Sequence, residues 1–467
     1  MALTSGTERR HVAVIDIGKT NVKLALVDTS KLCEVATRRM ANRPLDDGTY
    51  PHHDTDSIWH FILESLAAFR REFPIDAIAV TTHGATAAIV GADGELVLPI
   101  LDYEFAGPDA TSREYERVRP AFAETGSPPL PLGLNLGAQL FWQSRAFAVE
   151  FVRATAILMY PQYWAFRLCG VAASEVTSLG CHTDLWNPFK AGYSPLVGRM
   201  SWRRLFPAMR RAHDCLGPVL PAVAEATGLD PAAPVFCGIH DSNASLLPHL
   251  AARKPPFAVV STGTWVIAMA IGGRRVELDP ARDTLVNVNA FGEPVPSARF
   301  MGGREFERMI GNSTLQWDES DLDAVLAEPT LLLPAVQIGS GPFANQKSRW
   351  IGTEPSGGRR FLAVSFYLAL TTATCLDLAG AEGEIVVEGA FGENPAFLEM
   401  LAAATGMPVV HQTGNQNGTS IGAALLAIGM PTSISKQTTP GHRIANTKLI
   451  DYANIWKSRI RFTYVAT

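Results

Sequence analysis

Charge is scarce in this sequence, and none of it is massed. Asp, Glu, Lys and Arg make up 18% of the 467 residues, with a formal net charge of −5. No run of Lys and Arg stands out, so nothing favours a nucleic acid partner. Small anions remain open, because turns and helix termini bind them without net positive charge. Cysteine is sparse too. Six thiols (Cys33, Cys169, Cys181, Cys215, Cys237 and Cys375) are scattered without CxxC spacing, which argues against a disulfide framework or a zinc site. No uninterrupted apolar stretch reaches the ~20 residues of a membrane span. Met1–Arg10 is polar and lacks the apolar core of a signal peptide. The expectation is a soluble, cytoplasmic protein with no membrane role.

What the sequence does have is 47% hydrophobic residues, enough for two or three domains with sizeable cores. It also has two segments that read almost the same way. The first runs from His11 through Asp16, Gly18, Lys19, Thr20 and Asn21 to Asp28. The second runs from Phe257 through Ser261, Thr262, Gly263, Thr264 and Trp265 to Ile271. Each is an apolar strand, a turn of Gly and hydroxyl residues, and another apolar strand. One opens each half of the chain, which suggests two related halves. A phosphate chain is the simplest ligand for such a pair of turns.

Other elements follow from periodicity and punctuation. Cys33–Met40 reads as a third strand. Asp56–Phe73 reads as an amphipathic helix stopped by Pro74. Strands at Asp76–Thr81 and Thr86–Val90 flank Thr82-His83-Gly84-Ala85. Gln139–Val152 and Pro161–Leu168 read as helices, the latter stopped by Gly170, and Leu185–Gly198 as a surface loop. Val235–Gly238 is a short strand leading into His240 and Asp241, with a helix over Asn243–Leu250. Arg253-Lys254-Pro255-Pro256 is the expected boundary between domains 1–254 and 255–467. Phe361–Leu378 is apolar nearly all round and reads as a helix buried between layers. Ile385–Glu388 is a strand, and Asn394 caps a helix that begins at Pro395. A second glycine loop is expected at Gly414–Gly418, before a small-residue helix, Ser420–Ile428. The stretch beyond Thr438 is polar and in places basic; it packs on the second domain or on an oligomer partner, so a homodimer stays open.

Four segments have residue types suited to chemistry. Asp16 ends a buried strand and faces a turn bearing Lys19 and Thr20. A carboxylate for Mg²⁺ or its water, beside a cation for phosphate oxygens, suits a metal-bound phosphate. The pattern is not the GxxxxGK[ST] loop. Thr262, Gly263 and Thr264 offer hydroxyls and a glycine N–H to phosphate. Asp241, just past a strand end, is the candidate general base for an alcohol; it also suits the cap of the helix near Asn243. Gly389-Ala390-Phe391-Gly392 would let a purine or ribose approach the backbone.

Taken in order, these segments resemble the FGGY carbohydrate kinases of the actin/Hsp70/sugar-kinase superfamily. Asp16–Lys23 and Ser261–Trp265 look like the two phosphate motifs. Gly389–Asn394 and Gly418-Thr-Ser-Ile-Gly-Ala-Ala look like the adenosine motif, and Gly238-Ile-His-Asp241 carries the family's catalytic Asp. Asn135–Leu140, Leu158–Tyr163 and His240–Ser245 are similar to segments of rhamnulokinase, with fuculokinases as near neighbours. Leu101-Asp102-Tyr103-Glu104 and Met301–Arg308 depart from the family pattern. The resemblance implies an α/β protein of two RNase-H-like domains with an active-site cleft between them. It implies ATP and Mg²⁺, with Asp16 and Asp241 toward the metal, and phosphate contacts from Gly18, Lys19, Thr20, Asn21, Thr262, Gly263 and Thr264. It places adenosine on Gly389, Ala390, Phe391, Gly392 and Asn394, and the sugar on His83, Gly84, Asp102, Glu104, Asn135, Gln139, His240 and Asp241. The implied reaction is phosphorylation of the C1 hydroxyl of a ketose such as L-fuculose or L-rhamnulose. Kinases of xylulose, ribulose, a polyol or a linear signalling dione are alternatives, as is a non-catalytic sensor of ATP or sugar.

Overall fold

The computed structural model describes residues 9–311, 316–411, 418–429 and 446–464. The chain forms two compact units. The first runs to Ala252 and includes Val286–Pro294 and the helix Gly418–Ile428; the second holds most of the remainder. The expected glycine loop at Gly414–Gly418 lies, apart from Gly418, outside the described residues, as do His442 and Arg443 of the polar tail.

The first unit is built on β1 (His11–Ile17), β2 (Asn21–Asp28), β3 (Cys33–Ala41) and β4 (Ala77–Thr82). The order β3-β2-β1-β4 continues into Pro234–Phe236 and Cys215–Pro218, and Ile239–His240 also pairs with β4. β1 runs antiparallel to β2 and parallel to β4. β1 and β2 are buried along nearly their whole length. Such continuous apolar runs fit strands covered on both faces. Helix α1 (Thr55–Glu72) is capped by Asp54, which accepts from Ser57 N, and turns Ile58, Ile62 and Leu66 inward. Another face is covered by Gly418–Ile428, whose Ala423–Ala427 pack with Val12, Val14, Ala77 and Ala79.

The second unit repeats this plan. Its strands run Pro294–Phe300, Val266–Ile271, Phe257–Thr262, Glu384–Gly389, Val409–His411. The first two pairings are antiparallel and the last two parallel, as in β3-β2-β1-β4 and Pro234–Phe236. The two hairpins in the sequence are therefore equivalent parts of a duplicated topology. Gly357–Ala379 is long and apolar enough to cross a membrane by length and composition, but 78% of its most apolar 18-residue window is buried inside the protein. It ends at Gly380 in the left-handed region (φ 75°). Thr447–Tyr464 packs on the second unit, with Trp456 Nε1 donating to Leu332 O (2.8 Å) and Tyr452 OH to Thr330 O (2.7 Å).

Two local expectations are corrected. Leu185–Gly198 is not a surface loop: Leu185, Trp186, Leu196 and Val197 are buried, around a two-residue hairpin and a short helix. The helix expected over Gln139–Val152 runs Leu136–Ala146 and breaks at Phe147. The strand expected at Thr86–Val90 is present as Ala87–Val90 and pairs with Ala156–Met159.

Candidate active site

In the first unit, three parallel strands end side by side. Asp16 and Ile17 close β1, Thr82 closes β4, and His240 ends Ile239–His240, with Ile17 opposite Thr82 and His240 opposite Thr82 in register. The carboxyl ends of parallel strands are where open α/β sheets collect ligands. Here they bring together Asp16, His83, Gly84, His240 and Asp241.

Asp16 faces Lys23 across the β1–β2 ladder, Oδ2 3.5 Å from Nζ. Lys23 also reaches Glu34 (3.1 Å). Burial pushes the Asp16 pKa up to about 6; Lys23 opposes this and the Asp241 charge adds to it. The turn beyond is closed by Gly18 N–H to Asn21 O (2.9 Å). Asn42 pins it from the end of β3, donating from Nδ2 to Gly18 O (2.7 Å) and from its backbone to Thr20 O (2.9 Å). Thr20 and Asn21 stand exposed at the tip. Lys19 turns toward the Asp102–Glu104 segment, pairing with Asp102 and lying 3.5 Å from Glu104 Oε2.

Asp241 begins the helix Asp241–Ala252 and is half-buried, with Oδ1 accepting from Ser242 N (2.6 Å) and lying 3.2 Å from His240 Nε2. Burial raises its pKa above the ordinary carboxylate value, while His83 pulls it down. His83 and His240 are buried, and burial lowers each to a pKa of about 4. Both imidazoles are therefore neutral near pH 7. His83 Nδ1 lies 2.9 Å from Gly84 O, leaving Nε2 without a partner among the described residues; His240 Nδ1 likewise has none there. Behind them, Thr177 Oγ1 accepts from His240 N (3.0 Å) and donates to the buried Glu175 (2.5 Å), fixing the strand end that presents Asp241. His53, which the sequence did not single out, packs with its ring tilted 5.2 Å from His83 and, among the described residues, has no hydrogen-bond partner on either ring nitrogen.

In the second unit, the equivalent strand ends carry Thr262 and Gly389, opposite each other in register. Thr262 Oγ1 donates to Glu388 O and accepts from Phe391 N (3.1 Å), tying the turn to the loop after Gly389. Gly263 and Thr264 are exposed. The helix Gly302–Ile310 starts against them: a Cβ on Gly303 would lie 2.0 Å from Gly263 O. These glycines belong to the Met301–Arg308 stretch that departed from the family pattern; the Gly-Gly pair after a strand was the signal of close backbone approach. The Ala390–Pro395 loop lines a cavity of about 510 Å³, walled by Phe306, Trp317, Phe361 and Phe391. By register, this loop holds the position that His83-Gly84 holds in the first unit.

Family models match both parts of the chain. The N-terminal domain of the FGGY family of carbohydrate kinases matches residues 11–248, and the C-terminal domain of carbohydrate kinase FGGY matches residues 254–437. The chain belongs to the FGGY family of carbohydrate kinases. It is 26% identical over 271 residues to the L-fuculokinase of Salmonella typhi, covering 56% of this chain and 57% of that one. The L-fuculokinase of Escherichia coli (strain K12) is 26% identical over 270 residues, 55% and 56% of the two chains. The chain thus matches little more than half the length of these curated relatives. Among solved structures, a carbohydrate kinase from Novosphingobium aromaticivorans superposes with a TM-score of 0.90 at 36% identity, over 97% of this chain and 99% of that one. A xylulose kinase from Lactobacillus acidophilus shares the fold, with a TM-score of 0.79 at 17% identity over 98% and 99%.

Within this FGGY chain, three expected ligand residues are engaged elsewhere. Asn135 caps the helix Leu136–Ala146 and donates to Asp184 Oδ2 (3.0 Å). Gln139 donates to Ala85 O (2.6 Å) and to Gly133 O. Asn394 caps Pro395–Thr405 and donates to Ser365 Oγ (2.9 Å). Gln139 thereby holds Ala85, next to Gly84, and Asn394 belongs to the loop that lines the aromatic cavity.

Proposed function

We propose that this protein is an ATP-dependent ketose kinase acting on the C1 hydroxyl, with a 6-deoxyketose such as L-fuculose or L-rhamnulose as acceptor. One observation carries the reading: Asp241 stands at a helix start beside neutral His240, with Asp16 at the strand end on the far side of β4. The fuculokinase relatives and the 6-deoxyketose character of the His240–Ser245 segment favour that acceptor class.

In this mechanism Asp241 accepts the proton of the C1 hydroxyl as its oxygen bonds to the γ-phosphorus. The bond between that phosphorus and the β–γ bridging oxygen breaks, and ADP leaves. His83 Nε2 and His240 Nδ1, unpaired among the described residues, hydrogen-bond acceptor hydroxyls. The exposed turn residues Thr20 and Asn21 in the first unit, and Thr264 in the second, offer donors to phosphate oxygens, on turns that Gly18, Thr262 and Gly263 shape through hydrogen bonds of their own. The aromatic cavity beside Ala390–Asn394 takes the adenine.

Magnesium fits the residues present. Among the described residues no group of three His, Cys, Asp or Glu could hold a metal. A nucleotide-borne Mg²⁺ takes most of its ligands from phosphate and water and needs only one or two carboxylates. Asp16 and Asp241 are those carboxylates, and the ion neutralises phosphate charge when bound.

The test is ADP release with L-fuculose, L-rhamnulose, D-xylulose, L-ribulose and glycerol, and with Asp241→Ala. The expected result is ketose-dependent release from the wild type only. Ketose phosphorylation surviving in Asp241→Ala would sink the mechanism, and tight ketose binding without ADP release would favour a sensor.

A further inference from the structure

Lys19 sits in the turn that reads as a phosphate turn, yet its ammonium is spent elsewhere. Nζ donates to Asp102 Oδ1, lies 3.5 Å from Glu104 Oε2, and stands 4.8 Å from the centre of the Tyr103 ring. Two carboxylates and an aromatic face surround one ammonium. The side chains of Lys19 and Asp102 are 16% and 8% exposed, so this pair is poorly screened by solvent.

The segment that Lys19 holds is built with care. Asp102 Oδ1 also accepts from Glu104 N (3.1 Å), closing a local turn. Asp102 N donates to Pro51 O (2.9 Å), and Gly133 N to Tyr103 O (2.9 Å). The Tyr103 ring meets His83 edge-on at 5.4 Å. The segment therefore abuts the histidine cluster, and among the described residues its side-chain tie to the β1–β2 turn is Lys19. Without Lys19, Asp102 would keep a buried charge with no cation opposite it, a costly arrangement that the turn would relieve by moving.

We infer that Lys19 is a positioning residue for the acceptor: it holds Asp102, Tyr103 and Glu104 against His83, so that the two carboxylates accept hydroxyls of an uncharged, polyhydroxylated substrate. The inference rests on the reading of His83 as an acceptor-side group. It parts company with a phosphate role for Lys19, because an ammonium already facing two carboxylates has little left to offer a third anion.

Calorimetry separates the two roles. Lys19→Met keeps the stem and removes the charge. Its affinity for L-fuculose, L-rhamnulose and D-xylulose should fall about tenfold or more, while affinity for the β,γ-imido analogue of ATP stays within about twofold. In turnover, KM for the ketose rises and KM for MgATP does not. Lys19→Arg should restore ketose affinity to within about threefold. Asp102→Asn tests the contact from the other side, should Lys19→Met not fold: it should weaken ketose binding, and adding Lys19→Met should cost less than it does alone. Loss of nucleotide affinity with ketose affinity intact overturns the inference, as does no change in either. Should no ketose drive ADP release by the wild type, the kinase reading falls, and the binding pair still decides the role of Lys19. Absence of ketose binding by the wild type overturns both.

Discussion

Gly84 and His240 approach so closely that a Cβ on Gly84 would lie 2.7 Å from His240 Nε2. That nitrogen is the one beside Asp241 Oδ1. Glycine at position 84 therefore sets how near the imidazole can stand to the carboxylate, and Gly84→Ala must push the ring away. We expect kcat to fall by up to about 100-fold, with KM for MgATP unchanged. Steady-state kinetics on both substrates check this; an unaltered kcat would mean that His240 has no part in presenting Asp241.

The pH profile has a definite sign. Asp16 and Asp241 act ionised, and both have raised pKa values, Asp16 at about 6. kcat/KM should therefore decline as pH falls through about 6. His83 and His240, lowered to about 4, are neutral throughout that range. They should add no limb between pH 6 and 8. A limb near 7 that vanishes in His83→Asn or His240→Asn would contradict this.

Asp16 costs stability for the same reason. A carboxyl with a folded pKa of about 6 against 3.8 unfolded takes up a proton on folding, so stability is lost as pH rises from 3.8 through 6. Asp16→Asn mimics the protonated form. At pH 7.5 it should be more stable by up to about 3 kcal/mol, with the gain vanishing below pH 4, and should lose kinase activity. Urea unfolding at the two pH values gives the answer; Lys23 keeps Glu34 as a partner in the variant.

Trp317 lines the cavity beside Ala390–Asn394. Its fluorescence should be quenched by ADP. Trp317→Ala should raise KM for MgATP, since stacking on one base is worth about 1–3 kcal/mol. The ketose KM should not move.

Gly389 adopts φ 79°, and a Cβ there would lie 2.0 Å from Thr262 O. Gly389→Ala should destabilise the protein by about 1–3 kcal/mol and weaken nucleotide binding. Denaturation together with nucleotide titration would expose either failure.

The hairpins, the strand-end loops and the capped helices were legible because their signals are local: an Asp or Asn cap, a Gly stop, an apolar run. Asp241 and Thr262 were found for that reason. Longer-range facts were not. Nothing around Asn135 announces that Asp184, far along the chain, takes its amide. His53 lies about thirty residues from His83 in no recognisable motif; only the fold brings the two rings together. Lys19 was placed in the right turn, but its partners come from a loop whose sequence gave no hint of a basic neighbour.

Gly422 touches Ala244 so tightly that a Cβ would lie 1.8 Å from Ala244 O, and the helix around it covers β1 and β4. The first unit is therefore missing a wall until residue 428 has left the ribosome. Its folding during synthesis cannot finish until most of the second unit has also been made, and a gene cut at codon 254 should yield a product that chaperones retain and proteases clear.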